Sequence, residues 1–86
     1  MTSEFIAPAD GIRWRASLDE IVVLEVTTGR SWLLDPAGAA IWAAVVEAGS
    51  LPGALAHLPG ADPAEVQRFV EGLVAGGTLV AGPAGG

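Results

Sequence analysis

Gly29-Arg30-Ser31-Trp32-Leu33-Leu34-Asp35-Pro36-Ala37-Gly38-Ala39-Ala40-Ile41-Trp42 holds the point where the chain changes character. Thr27-Thr28-Gly29-Arg30 reads as a tight reversal, because Gly29 can take the positive φ that hairpin loops need. Ser31-Trp32-Leu33-Leu34 then fits a short strand. At Asp35-Pro36 the strand must stop, since proline has no N–H to give to a ladder. The same pair starts a helix well: Asp is a favoured N-cap, and proline is preformed for the first helical position. The spacing predicts a helix from about Pro36 to Ala48, with Ala37, Ala40, Ile41, Ala44, Val45 and Ala48 as its apolar stripe and Gly49 as its stop.

Towards the N-terminus, Ile12-Arg13-Trp14-Arg15-Ala16-Ser17 alternates apolar and polar residues, the period of a half-buried strand. Leu18-Asp19-Glu20 reads as a turn, and Ile21-Val22-Val23-Leu24-Glu25-Val26 is rich in β-branched residues. The simplest arrangement is a three-stranded antiparallel meander. Towards the C-terminus, Ser50 caps a short helix carrying Leu51, Leu55 and Leu58, which Pro59-Gly60 breaks. Asp62-Pro63-Ala64-Glu65 combines an Asp cap, a proline at the first helical position and a Glu three residues after the cap. A third helix follows from Pro63 to about Ala75, with Val66, Phe69, Val70 and Leu73 at helical spacing and Gly76-Gly77 at its end. Thr78-Leu79-Val80 reads as a short extended piece. Residues 1–11 are expected to be a flexible N-terminal segment, 12–81 the folded domain, and 82–86 a disordered tail. Three strands followed by three helices make an α+β domain.

Composition narrows the function. The chain has 86 residues, no cysteine, one histidine and a net charge of −6, with four arginines as its only basic residues. Thiol chemistry, disulfides and thiolate metal sites are excluded, and a single His57 leaves no multi-histidine cage. An acidic protein is repelled by the phosphate backbone, so nucleic acid is not an expected partner. The third helix offers Arg68 against Glu65 and Glu71, which argues against a DNA-reading helix. The longest apolar run, Ala37 to Val46, is too short to span a bilayer, and no secretory pattern opens the chain. A cytoplasmic protein without membrane contact is expected. His57 falls at the end of a short helix, Asp35 and Asp62 cap helices, and Asp19 and Glu20 fill a turn. No group is left to form a catalytic set, so the expectation is a protein that is not an enzyme and needs no metal or cofactor.

Binding remains. In the strands, Leu33 must point opposite to Trp32 and Leu34, and Val22 and Leu24 opposite to Ile21 and Val23. A sheet covered by helices on one face does not need apolar residues on both. The third strand is short and apolar, with charge only at Arg30 and Asp35, so it lacks the usual protection of an edge. Two coverings are open at this stage: the chain's own Thr78–Val80 segment, or an extended peptide from outside. On the third helix, Phe69 lies on the flank shared with Glu65 and Gly72, where a side-chain-free patch could border a pocket.

These residues carry a resemblance. Gly29-Arg30-Ser31-Trp32-Leu33-Leu34-Asp35, running into Gly38-Ala39-Ala40-Ile41-Trp42, resembles the signature stretch of PqqD-like proteins. Val66, Phe69, Val70 and Leu73, followed by Gly77-Thr78-Leu79, are similar to that family's closing helix. The likeness covers about residues 12–81. Asp35 stands where Asn is common, a mild departure because both residues cap helices. The family is the RiPP recognition element, a winged-helix-like domain, and the chain looks most like the stand-alone leader-binding proteins of lasso-peptide pathways. The resemblance implies a non-catalytic adaptor whose partners are a precursor leader peptide, a cysteine-protease-type leader peptidase and a macrolactam-forming cyclase. It implies that the leader pairs with Ser31, Trp32, Leu33 and Leu34 as an added strand and packs on Phe69, Val70 and Leu73. The alternative within the same fold is a PqqD-type chaperone that serves a radical enzyme.

Overall fold

The computed structural model describes residues 4–83. Its elements are β1 (Glu4–Pro8), β2 (Ile12–Ser17), β3 (Glu20–Glu25), β4 (Arg30–Leu34), α1 (Pro36–Ala48), α2 (Leu51–Ala56), α3 (Pro63–Ala75) and β5 (Leu79–Pro83). The fold is α+β, with a three-stranded antiparallel sheet followed by three helices. All three helices start where their caps place them. Asp35 Oδ1 accepts from the Gly38 N–H at 2.8 Å, Ser50 Oγ from the Gly53 N–H at 3.1 Å, and Asp62 Oδ1 from the Ala64 N–H at 3.0 Å. Each satisfies a donor that a helix start leaves without an intrahelical partner.

The sheet runs β2-β3-β4, with Ile21 opposite Leu34, Val23 opposite Trp32, and Trp14 opposite Val23. The period of two sends Ile21, Val23 and Leu34 to the face that α1 covers, and all three are buried. Trp42 of α1 is at the centre of the core with Val23, Val45, Val66 and Leu79. Trp14 lies on the same face of β2 as the buried Ile12. It is 40% exposed and meets Trp42 edge-on, with ring centroids 5.5 Å apart. The rotation of α1 also differs from the expected stripe: Gly38, Ala39, Trp42, Ala44 and Val45 are buried, whereas Ala37 and Ala40 are exposed. Nearly every residue of α1 is apolar, so its pattern barely favours one face. The largest side chain, Trp42, sets the rotation.

The segment expected to be flexible contains a strand. β1 pairs antiparallel with β5, forming a second sheet of two strands. Ile6 is buried, and its N–H donates to the Gly49 carbonyl at 2.8 Å. The Ala9 N–H donates to the Thr78 carbonyl at 3.0 Å. Gly82, placed by the sequence in the tail, belongs to β5. The Phe5 ring lies across it so closely that a β-carbon there would sit 2.8 Å from Phe5 Cε1. Residues 84–86 of the expected tail fall outside the described residues.

Candidate functional site

The β1–β5 pairing decides which covering β4 lacks. Leu79–Pro83 is engaged with Glu4–Pro8, so it does not close the edge of the larger sheet. β4 has β3 on one side and no strand on the other among the described residues. In an antiparallel ladder the N–H and C=O groups alternate in direction, so two or three of the five residues in β4 present theirs outward. The other outer strand, β2, carries Arg13 and Arg15, the kind of charge that discourages pairing. β4 carries Ser31, Trp32 and Leu33 between its end residues. Its charges stand at the limits, Arg30 at the start and Asp35 just beyond Leu34.

Phe69 of α3 flanks the far end of this strand. Gly38, three residues after Asp35, makes room for it: a β-carbon on Gly38 would lie 3.2 Å from both Phe69 Cε1 and Cζ. The ring therefore rests on the first turn of α1, next to the point where β4 becomes helix. It is half-buried, as is Leu73 one turn later, while Val66 and Val70 are buried. α3 packs mainly on β5 and α2, so its Phe69 flank is not consumed by the sheet.

The residues named from the sequence thus divide. Ser31 and Leu33 are exposed on β4, Leu33 at 57%, and Trp32 is half-buried on the helix-covered side with the Arg30 guanidinium 5.8 Å from its ring centroid. Leu34 and Val70 have buried side chains. Leu34 can offer a ligand only backbone, and Val70 supports the wall from behind. Phe69 and Leu73 supply its surface. Gly38, which makes room for Phe69, was not among the residues named from the sequence, although it lay inside the stretch that carried the resemblance. The signal was a glycine in the first turn of a helix, where helix propensity gives no reason for one.

A concavity of about 680 Å³ between α1 and the α2–α3 connection includes His57, Asp62 and Glu65. His57 Nδ1 lies 2.8 Å from the Gly53 carbonyl, and Asp62 caps α3. Among the described residues no group of three or more His, Cys, Asp or Glu could hold a metal ion. No helix there is long and apolar enough to cross a membrane.

No protein-family model matches the sequence. No curated protein matches it either. A solved structure does: TbiB1 in complex with the TbiA(beta) leader peptide. The fold is shared with TbiB1. The two superpose with a TM-score of 0.72 at 23% identity, over 86% of this chain and 94% of that one. The correspondence takes in nearly all of both molecules.

Proposed function

We propose that this protein binds the leader segment of a ribosomally made precursor peptide by strand addition to β4. The single observation that carries the reading is the uncovered β4 edge beside the half-buried ring of Phe69. The shared fold with TbiB1, a protein solved with a leader peptide, supports it, as does the resemblance to leader-binding proteins of lasso-peptide pathways.

The energetics require both parts of the groove. Ordering a disordered segment costs about 2–5 kcal/mol. Each backbone hydrogen bond returns about 0.5–1.5 kcal/mol net, so pairing along a five-residue strand roughly offsets that cost. Affinity then comes from apolar leader side chains set against Phe69 and Leu73, at about 1.5–3 kcal/mol for each one fully buried. Sequence preference resides in those anchors, because strand pairing reads only backbone.

In this role the protein is a non-catalytic adaptor. It holds the leader and delivers the precursor to a cysteine-protease-type leader peptidase and a macrolactam-forming cyclase, raising their effective substrate concentration by tethering. Calorimetric titration of Phe69→Ala with the pathway's leader peptide tests the site. Affinity should fall about tenfold or more, from loss of one anchor, while circular dichroism still shows a folded chain. Unchanged affinity in the folded variant removes α3 from the site.

A further inference from the structure

The concavity between α1 and the α2–α3 connection begins where the leader groove ends. Ala37 adjoins Gly38, on which the Phe69 ring rests, and Glu65 stands one turn before Phe69 on α3. The walls are apolar, with Ala37, Ala40 and Ile41 on one side and Leu58 and Val66 on the other. Ala37 and Ala40 are exposed and Ile41 is only half-buried, so the fold does not fill the space. At about 680 Å³ it falls within the size of small-ligand clefts, about 300–1,000 Å³. Its polar side chains offer acceptors. Glu65 and Asp62 are exposed carboxylates, and Asp62 uses one oxygen on the Ala64 N–H. His57 Nδ1 lies 2.8 Å from the Gly53 carbonyl, so a neutral ring carries its proton there and keeps Nε2 as an acceptor. None of the four arginines lines the concavity.

We infer that this concavity is a second leader subsite, which takes a lysine or arginine side chain from just beyond the strand-paired segment; the inference rests on the proposed function. An aliphatic stem suits the apolar walls, and a cationic head with several N–H donors suits the acceptors at the rim. A metal ion does not fit, because among the described residues His57, Asp62 and Glu65 make no group that could hold one. Charge also gives the groove two different ends. β4 begins at Arg30 and finishes beside the acidic concavity, so a leader cation is drawn to the Leu34 end. Strand pairing reads only backbone and is open to slippage along β4. A cation held at one end fixes the register. Phe69 and Leu73 then supply affinity, and Glu65 supplies alignment.

The probe is the fluorescein-labelled leader peptide of the pathway's precursor, with copies in which each Lys or Arg is replaced in turn by Met, read by fluorescence anisotropy. One replacement, outside the segment that pairs with β4, should weaken binding about threefold or more at low salt. Glu65→Lys should lower the affinity of the intact leader about fivefold or more. Ala40→Leu, which fills the concavity without altering its charge, should lower it by about the same factor. With the leader that lacks the cation, both losses should shrink to within about twofold, the coupling expected of groups in contact. Glu71→Lys makes the same charge change at a residue that does not line the concavity and should stay within about twofold of wild type for the intact leader. Circular dichroism shows that each variant is folded. A leader with no such Lys or Arg overturns the inference alone, as does a folded Glu65→Lys or Ala40→Leu variant that binds the intact leader like wild type. A loss as large for the leader without the cation, or for Glu71→Lys, overturns it too. A wild-type chain that fails to bind leader overturns the functional reading and this inference with it.

Discussion

Gly72 separates what the fold needs from what the groove needs. It lies within α3, three residues before its end, and no atom outside its own helix and chain neighbours comes within 4 Å of a β-carbon built there. Among the described residues nothing requires the glycine, so Gly72→Ala should recover most of the helix propensity that glycine forfeits, about 0.5–1 kcal/mol. For a domain of this size that corresponds to a rise in melting temperature of roughly 2–8 °C. The Gly72 carbonyl keeps its bond from the Gly76 N–H, at 3.0 Å, so the end of the helix is preserved. Leader binding should move the other way. The added methyl occupies the bare flank one turn from Phe69, and overfilling a close contact costs about 1–3 kcal/mol, or about fivefold or more in affinity. Thermal melts by circular dichroism and leader titration on the same sample read the two effects. A lower melting temperature would refute the packing argument. A higher one with unaltered leader affinity would exclude the Gly72 flank from the groove.

Two further outcomes follow from the fold. Asp35→Ala removes the acceptor for the Gly38 N–H at the start of α1 and should cost about 1 kcal/mol in urea unfolding, whereas Asp35→Asn should stay within a few tenths of a kcal/mol. Ile6→Ala should cost about 2–4 kcal/mol, because the side chain is buried and β1 is part of the structure. A variant as stable as wild type would show that the β1–β5 pairing adds little.

The sequence announced the helices more clearly than the second sheet. α1 and α3 begin and end as their caps indicate because capping is local chemistry: Asp35-Pro36 and Asp62-Pro63 each act within one turn. β1 was not legible. Its five residues show no alternation, and its partner β5 lies some seventy positions away, carries a glycine, and ends at Pro83. The rotation of α1 was hidden for a different reason, since a helix that is apolar almost all round is turned by its neighbours. For the candidate site, the sequence singled out the β4 edge and Phe69. It left open whether the chain's own C-terminal segment covered that edge, a question that only the long-range pairing of β5 with β1 resolves. The closeness of Gly38 to Phe69 was equally out of reach, because 30 intervening residues separate a glycine from the ring that its missing side chain accommodates.

Amide hydrogen exchange along Arg30–Leu34, followed by NMR before and after addition of the leader peptide, probes the open flank of the sheet directly. With leader bound, the β4 N–H groups that point away from β3 should slow about tenfold or more, the protection expected of new ladder bonds, while the outer side of β2 exchanges as before. Saturating leader with no slowing in β4, or with slowing in β2 instead, would contradict the account.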